Sequence, residues 1–337
     1  MKNISLVGFG RIGRDLFRQS IEDDLVNIVS VSDIADKENL VYLLKYDSIY
    51  GPLNAEIIET KNGISVNGKE TIFNKWKSSY ESDWAKINTD IVVLATGKQQ
   101  TIDECKKHLK KGAKKIIIAS TPSEKNEIDI FVPGANDEDI DFSKSIISLG
   151  SNTTNACGPI LKILNDTVQI KRAFINTVHG YSNSNRLADV AGEGLTINRA
   201  AGENIIPNKT KSYEVIEKVL PFLKNKITSS SMTVPIPDGS IVDLTVDIVN
   251  KASSEDINKI IQEKISNKYI KNRIGITFEP IVSSDVVGNS LSGLVDGLST
   301  MNIDEEKIKI LIWFDNGWGY SSRILETIKI YQESYEK

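Results

Sequence analysis

The first chemistry that the sequence indicates is the binding of a dinucleotide. Residues 8–13 read Gly-Phe-Gly-Arg-Ile-Gly, a G-x-G-x-x-G pattern between an apolar β-branched run and a stretch with helical spacing. In such a pattern the first glycine permits a tight turn, the second lets the backbone approach a pyrophosphate, and the third lets helix and strand pack closely. Asp33 follows Gly13 by twenty residues, the spacing of an acid that binds the ribose. The pattern predicts a cofactor site built by Gly8, Gly10, Arg11, Ile12, Gly13 and Asp33.

Asp33 also indicates which dinucleotide binds. A carboxylate pairs well with a free ribose 2′-hydroxyl and repels a 2′-phosphate. The next residue is Ile34, and no basic residue lies immediately beside the acid. The sequence therefore predicts NAD rather than NADP.

The segments around this pattern alternate between strand-like and helix-like spacing. Short apolar runs predict strands at 4–8, 26–31, 91–95 and 115–119. Apolar residues at helical intervals predict helices at 11–20, 38–44 and 101–111. Such alternation is typical of a parallel sheet with helices on both faces. Residues 1–150 are therefore expected to form an α/β domain of the Rossmann type, a doubly wound parallel sheet that binds NAD.

After residue 150 the pattern changes to longer strands with few helices between them. The runs predict a helix at 156–164 and strands at 170–178, 229–234, 240–249 and 308–314. Long strands with fewer crossovers suggest a mostly antiparallel sheet. Residues 151–317 are expected to form an α+β catalytic domain, and a C-terminal amphipathic helix within 318–337 is expected to pack back on the first domain.

Length, charge and composition limit the classes of function. The chain has 337 residues, enough for two domains, and 41 basic against 45 acidic side chains give a net charge of −4. That charge favours neither a nucleic-acid partner nor an anionic membrane surface. Two cysteines and two histidines make neither a disulfide framework nor a zinc cluster, so no metal site is expected. With no signal-peptide core and no membrane-spanning run, the expected location is the cytoplasm and the expected partner is a small-molecule substrate.

Further motifs follow one another along almost the whole chain. They are G-F-G-R-I-G-R at 8–14, K-Y-D-S at 45–48, T-G at 96–97, T-V-H-G-Y at 177–181, P-I-P-D at 235–238, V-D-L-T at 242–245 and D-N-G-W-G-Y-S at 315–321. In this order they resemble the motifs of the glyceraldehyde-3-phosphate dehydrogenases. The resemblance implies NAD as the cofactor and a homotetramer as the assembly.

The same resemblance implies roles for residues beyond the glycine-rich turn. Thr96, Gly97 and Ser120 would contact the cofactor. Asn316 would hold the nicotinamide carboxamide and so select the ring face that receives hydride. Tyr320 would pack beside Asn316.

The substrate end departs from the family at several positions. Residues 151–157 read S-N-T-T-N-A-C and resemble the family's S-C-T-T-N-C signature, but Asn152 stands where the family keeps its nucleophilic cysteine. An amide cannot form the thiohemiacetal and thioester of the family's reaction. Thr233 stands where an arginine binds the substrate's phosphate, while Ser182 and Ser184 replace a threonine and an aspartate. Changes at several positions favour natural divergence toward another substrate over a single engineered replacement.

The resemblance leaves a set of polar residues to bind the substrate. The set contains Ser151, Thr153, Ser182, Ser184, Thr210, Lys211 and Thr233. Lys209 and Lys211 flank Thr210 in a loop that resembles the family's S-T-G phosphate segment. Two interpretations of these lysines stay open: an anion site that has moved to them, or solvated loop charges.

No other cysteine is expected to replace the missing thiol. Cys157 lies five residues after Asn152, and at about 100° per residue the two side chains would point roughly 140° apart on one helix. Cys157 and Cys105 are therefore predicted to be buried packing residues. His108, which lies among lysines, is predicted to be at the surface.

His179 and Asn152 remain for catalysis. Imidazole ordinarily exchanges a proton near neutral pH, so a histidine can act as a general base without a thiol. Asn152, predicted near a helix N-terminus, would polarise a developing carbonyl with its NH₂ group. The main hypothesis is direct hydride transfer between NAD and a sugar, polyol or aldehyde substrate. The alternatives are a catalytically silent NAD-binding subunit and a retained glyceraldehyde-3-phosphate dehydrogenase activity.

Overall fold

Two compact units make up the part of the chain that the computed structural model describes, which is residues 1–76, 81–124, 127–192 and 194–333. The first unit contains Met1–Phe131, Asp139–Ser151 and Tyr320–Lys337. The second contains Val132–Glu138 and Asn152–Gly319. Each unit has a β-sheet of its own.

The first unit is an α/β domain. Its strands are β1 (Lys2–Val7), β2 (Val26–Asp33), β3 (Tyr46–Asp47), β4 (Gly51–Pro52), β5 (Ile57–Glu59), β6 (Gly63–Val66), β7 (Lys69–Lys75), β8 (Ile91–Leu94), β9 (Lys115–Ile118), β10 (Asp129–Ile130) and β11 (Ile146–Ser148). Its helices are α1 (Arg11–Ser20), α2 (Lys37–Lys45), α3 (Ile102–Lys110) and, from Tyr320 onward, α7 (Trp318–Glu333). The main sheet runs β10-β11-β9-β8-β1-β2-β7-β6-β5 over the described residues. Strands from β10 to β7 pair in parallel, and β5 and β6 extend the sheet in antiparallel fashion, so the predicted doubly wound parallel sheet is confirmed.

Burial explains why the central strands read as continuous apolar runs. Every residue of β8 and β9 is buried, which is typical of parallel strands covered by helices on both faces. Helix α1 places Leu16 and Phe17 in the same core as Ile4. Helix α7 adds four buried side chains to that core, those of Tyr320, Ile324, Ile328 and Tyr331.

Within the described residues, the second unit combines an eight-stranded, mainly antiparallel sheet with helices. Its elements are α4 (Asn152–Val168), β12 (Ile170–Gly180), β13 (Ile206–Asn208), α5 (Ser212–Val219), β14 (Ile227–Val234), β15 (Ser240–Ile248), α6 (Ser254–Ile265), β16 (Ile274–Thr277), β17 (Gly293–Asp296), β18 (Met301–Ile303) and β19 (Lys307–Phe314). The sheet runs β13-β14-β12-β15-β19-β17-β16, and β18 pairs with β19. The pairs β12–β14 and β16–β17 are parallel, and the other pairs are antiparallel.

One face of this second sheet forms the core of the unit. Along β15 every second residue is buried and those between are partly exposed, the alternation of a strand with one covered face. Helix α4 packs against β12, β15, β17 and β19. The mostly antiparallel sheet expected after residue 150 is confirmed.

The short segment Val132–Glu138 joins the second unit through a buried ion pair. The Arg273 Nη1 and Asp137 Oδ1 atoms lie 2.5 Å apart, and both side chains are about nine-tenths buried. Asp137 also accepts a hydrogen bond from the Gly134 backbone N–H at 2.6 Å. The pair anchors this segment to the loop before β16.

Candidate functional site

The glycine-rich turn of the first unit has the shape that a pyrophosphate site requires. Gly8 has φ +92°, and a Cβ on it would lie 2.6 Å from the Ala95 carbonyl oxygen. A Cβ on Gly13 would lie 2.4 Å from the Gly8 carbonyl oxygen. A Cβ on Gly10, at the start of α1, would meet nothing within 4 Å. The outer glycines are thus fixed by close packing, while the middle one borders open space beside a helix N-terminus, as a bound dinucleotide needs.

Asp33 lies at the end of β2 and is held against this turn. Its Oδ2 atom accepts a hydrogen bond from the Phe9 backbone N–H at 2.7 Å, and its Oδ1 atom accepts one from Ala35 at 3.0 Å. A carboxylate has further lone pairs for a ribose hydroxyl. The next residue, Ile34, is 77% exposed, and its apolar side chain supplies no cation beside the carboxylate.

The remaining predicted cofactor residues of this unit also follow its parallel strands. Thr96 and Gly97 come after β8, and Ser120 comes after β9, so they share the sheet edge of Gly8. Thr96 Oγ1 accepts hydrogen bonds from Lys98 N at 3.3 Å and Gln100 Nε2 at 3.0 Å. Ser120 Oγ donates to the Lys98 carbonyl at 3.3 Å.

Tyr320 is almost fully buried in the first unit. Its hydroxyl donates to the Gly150 carbonyl oxygen at 2.8 Å. Burial raises the pKa of this phenol well above its ordinary value. Tyr320 therefore holds the end of the segment that leads into residue 151.

Asn152 is the first residue of α4, which agrees with its predicted place near a helix N-terminus, although the helix begins four residues before the predicted 156. Its Nδ2 atom donates to the Asn316 carbonyl oxygen at 3.1 Å. Its Oδ1 atom accepts from the Thr153 backbone N–H at 2.8 Å, and Thr153 itself is buried. The side chain thus joins the start of a long helix to the loop after β19, and one Nδ2 hydrogen remains beyond the bond to Asn316.

Besides Asn152, two side chains of the second unit bind Asn316. Its backbone N–H donates to Asp238 Oδ1 at 2.9 Å, and its Oδ1 atom accepts from the hydroxyl of Ser240. The preceding residue, Asp315, accepts backbone hydrogen bonds from Gly317 at 2.7 Å and Trp318 at 2.6 Å. Burial, together with the nearby charge of Asp238, raises the pKa of the Asp315 carboxyl.

His179 lies near the end of β12 with its ring partly exposed. Its Nδ1 atom is 2.9 Å from the Gly180 carbonyl oxygen. Because a carbonyl oxygen only accepts, this contact requires the hydrogen on Nδ1 and leaves a lone pair on Nε2 of the neutral ring. Gly180 is needed at this bend, since a Cβ there would lie 2.7 Å from the Ile236 carbonyl oxygen.

Thr233 lies beside His179 but is covered by another side chain. The two residues are paired in the parallel register of β12 and β14, which places them on the same face of the sheet. Thr233 is 1% exposed, and its hydroxyl accepts from Asn208 Nδ2 at 2.8 Å. Asn208 at the end of β13 was not singled out from the sequence. Its position two residues before Thr210 is the signal that could have found it.

The other predicted substrate residues lie on loops and helix starts. Ser182 and Ser184 are exposed, and their hydroxyl oxygens are 2.8 Å apart. Thr210 Oγ1 accepts from the Ser212 backbone N–H at 3.2 Å, at the start of α5. Lys211 has a side chain that is 77% exposed, and its Nζ atom lies 3.3 Å from Glu214 Oε1. Its charge is therefore partly compensated by Glu214 in the first turn of α5.

Comparison with known proteins assigns both parts of the chain. Residues 2–102 match the family model described as glyceraldehyde 3-phosphate dehydrogenase, NAD binding domain. Residues 151–316 match the corresponding C-terminal domain. Glyceraldehyde-3-phosphate dehydrogenases of Priestia megaterium and Geobacillus stearothermophilus are each 38% identical over 324 residues, and these alignments cover 96% of both chains. That of the fungus Claviceps purpurea is 36% identical over 327 residues, again 96% of both chains.

The chain belongs to the glyceraldehyde-3-phosphate dehydrogenase family. The resemblance read from the sequence motifs is confirmed, and so is NAD as the cofactor, because the first unit contains the family's NAD-binding domain. The chain is thus an NAD-binding oxidoreductase of this family.

Neither cysteine of this family member is placed to act as a nucleophile. Cys157 on α4 and Cys105 on α3 are both fully buried. Burial raises the pKa of each thiol to about 12. A thiolate is the reactive form, so both remain inert packing groups, as predicted.

The prediction for His108 was wrong. His108 is 1% exposed, and its Nδ1 atom accepts a hydrogen bond from Trp84 Nε1 at 3.1 Å. Burial lowers its pKa to about 4. The neighbouring lysines are exposed because they lie on the other side of α3, whereas His108 follows Cys105 by three residues and shares its buried face.

The described residues contain neither a cluster of metal ligands nor a membrane-spanning helix. Within them, no three His, Cys, Asp or Glu side chains gather as a metal site would need. Over the same part of the chain, no helix combines the length and apolarity that crossing a membrane requires.

Proposed function

We propose that this family member transfers hydride directly between a substrate carbon and NAD, with His179 as the base and without an acyl-thioester. The observation that carries the proposal is the bond of the Asn152 amide to the Asn316 carbonyl at 3.1 Å. An amide so placed takes the family's nucleophile position and cannot bond covalently to a carbonyl carbon.

His179 would move the proton of the reaction. In the oxidation of an alcohol, Nε2 takes the hydroxyl proton, the C–H bond breaks with its electron pair, and the C–O bond becomes a carbonyl. For an aldehyde, the hydrate loses the same proton and hydride and leaves as a free acid. NAD supplies the acceptor for the hydride when bound. The Nδ1 contact with Gly180 supports this role because it fixes the lone pair on Nε2.

Asn152 and Asn316 would position the reactants. The remaining Nδ2 hydrogen of Asn152, at the N-terminus of α4, would polarise the substrate oxygen as charge develops there. Asn316 would hold the nicotinamide carboxamide. The rest of the cofactor would be contacted by Thr96, Gly97, Ser120 and Asp33.

An uncharged polyhydroxy substrate is favoured over a small phosphate ester. Thr233 offers a neutral hydroxyl that is already bonded to Asn208, where the family has an always-charged arginine. Ser182 and Ser184 add exposed hydroxyls, which suit the hydroxyl groups of a sugar or polyol. Lys211 is paired with Glu214, which favours a solvated loop charge over an anion site that has moved.

Turnover by wild type and His179→Ala on one substrate panel tests the proposal. The panel contains sugar alcohols, free aldehydes and sugar phosphates with NAD, and the readout is NADH formation. We expect wild type to oxidise an uncharged member and His179→Ala to lose on the order of 10² to 10⁴ in kcat. Ser292→Ala, a buried serine of the same unit, is the matched control and should keep wild-type activity. Equal turnover by wild type and His179→Ala would show that His179 is not the base of the reaction.

The same assay separates the two alternatives. NAD binding without turnover on any panel member would favour a catalytically silent subunit. NADH formation that requires both glyceraldehyde 3-phosphate and inorganic phosphate would favour the activity that gives the relatives their names.

We further propose a cytoplasmic homotetramer as the assembly. Large apolar side chains of the loop after β12 support self-association, since Leu187 and Leu195 are more than 90% exposed and Ile205 is 65% exposed. Sedimentation of wild type against Leu187→Ser/Leu195→Ser tests this, and a wild-type monomer would contradict it.

A further inference from the structure

Ser240 is a buried serine between two residues of the candidate site. It is the first residue of β15 and has no exposed surface. Its Oγ atom contacts the backbone N–H of Gly180 at 3.2 Å and the Oδ1 atom of Asn316. Burying a polar side chain this deeply costs free energy unless its hydrogen bonds are made.

The chemistry of these groups fixes the direction of each hydrogen bond. A backbone N–H only donates and an amide oxygen only accepts, so Ser240 accepts from Gly180 and donates to Asn316. The carbonyl of Gly180 in turn accepts from His179 Nδ1 at 2.9 Å. One serine therefore links Gly180, the residue whose carbonyl orients the His179 ring, to the side-chain amide of Asn316.

The direction of this chain determines what Asn316 presents. Because its Oδ1 atom accepts from the Ser240 hydroxyl, its Nδ2 group is the end of the amide that can donate to a ligand. An NH₂ group matches the carbonyl oxygen of a nicotinamide carboxamide, whereas a flipped amide would present an acceptor to an acceptor. The backbone N–H of Asn316 is separately held by Asp238 at 2.9 Å, so the main chain stays in place without Ser240.

We propose that Ser240 is a positioning residue that sets the orientation of the Asn316 amide and ties it to the strand end at His179. This inference rests on the proposed function, in which Asn316 holds the nicotinamide carboxamide. It predicts that removing one hydroxyl weakens recognition of the nicotinamide end of the cofactor and leaves recognition of the ADP-ribose end unchanged.

Calorimetric binding of NADH and of ADP-ribose to Ser240→Ala and wild type tests this proposal. ADP-ribose lacks the nicotinamide, so it reports on the fold and on the rest of the cofactor site. We expect the Kd for NADH to rise on the order of fivefold in Ser240→Ala, which is the size expected for one lost orienting hydrogen bond, while the Kd for ADP-ribose stays at the wild-type value. An unchanged Kd for NADH, or equal losses for both ligands, would overturn the proposal.

A matched serine and a double variant complete the experiment. Ser292→Ala makes the same chemical change at a buried hydroxyl that has no hydrogen-bond partner within the described chain, and it should change neither Kd. In an Asn316→Ala background, Ser240→Ala should cause no further loss of NADH affinity, because it acts through Asn316. A further loss there would overturn the proposal. Failure of wild type to bind NADH at all would instead overturn the proposed function and this inference with it.

Discussion

The side-chain amide of Asn152 donates a hydrogen bond to the main-chain carbonyl oxygen of Asn316, 164 residues away in sequence, at 3.1 Å. The bond joins Asn152, which stands at the family's nucleophile position, to the loop that carries Asn316, the residue predicted to bind the nicotinamide. Its Oδ1 atom bonds to Thr153 at the start of α4. Asn152 is therefore well accommodated where it stands.

Restoring the thiol alone should not restore the family's usual reaction. Asn152→Cys provides a nucleophile, but Thr233 is buried against Asn208 and offers no guanidinium for a substrate phosphate. We expect no NADH formation dependent on glyceraldehyde 3-phosphate and phosphate above that of Asn152→Ala. Both variants should also lose about 1 to 2 kcal/mol of unfolding free energy, because the two bonds of the amide are gone. Phosphate-dependent turnover by Asn152→Cys would show that the phosphate site is intact after all.

Two glycines of the cofactor turn should respond differently to the same change. Gly10→Ala places its Cβ in open space at an extended backbone position, so the protein should fold normally but lose on the order of tenfold or more in NAD affinity, since the methyl group occupies the approach of the pyrophosphate. Gly13→Ala places its Cβ 2.4 Å from the Gly8 carbonyl oxygen and should cost about 1 to 3 kcal/mol of stability. Thermal unfolding and NAD titration of both variants make the comparison. Full NAD affinity in Gly10→Ala would contradict this placement of the cofactor.

Much of the first unit could be predicted because short stretches of its sequence determine where its helices and strands lie. The bounds of α1 were predicted to the residue, since Gly10 precedes it and Leu16 and Phe17 recur at helical spacing. Strand β7 was missed because its sequence K-E-T-I-F-N-K mixes charged and apolar residues without a clear period. This strand forms because it pairs with β2, which is distant in sequence, and a short stretch of sequence does not reveal such pairing.

The site residues that the sequence did not reveal are isolated polar side chains. Ser240, Asn208 and Asp238 form no motif of their own, and their bonds reach residues 25 to 78 positions away. The error at His108 has a related cause, because charged neighbours in sequence lie on a different face of the helix. Long-range pairing, rather than composition, places each of these side chains.

The histidine at position 108 should make stability depend on pH below neutrality. Its pKa is lowered to about 4 in the folded protein from an ordinary 6.5, so the unfolded state binds the proton more readily. Stability is therefore unaffected above about pH 6.5 and falls as the pH drops toward 4, by up to about 3 kcal/mol. Urea unfolding at several pH values should show a shallower loss for His108→Asn than for wild type. Equal losses of unfolding free energy in the two proteins as the pH falls would mean that His108 takes up its proton in the folded protein as readily as in the unfolded chain.

The two histidines should be found in opposite tautomers. His108 accepts at Nδ1 from Trp84 and so carries its hydrogen on Nε2, whereas His179 donates from Nδ1 to Gly180. With two histidines in the chain, ¹⁵N-histidine labelling gives two sets of ring signals, and His108→Asn assigns them by removing one. We expect the remaining set at about pH 8 to show protonated Nδ1. An Nε2-protonated ring at His179 would exclude it as the base through that nitrogen.

The proposed hydride transfer involves no covalent acyl-enzyme. Intact-mass spectrometry of wild-type protein, quenched in acid while it forms NADH from its best panel substrate, tests this most directly. We expect NADH formation that needs no phosphate, together with a protein mass that stays unmodified. Asn152 cannot be acylated as a thiol can, and both cysteines are buried with a raised pKa. A mass increase equal to the substrate's acyl group during turnover would contradict the proposal.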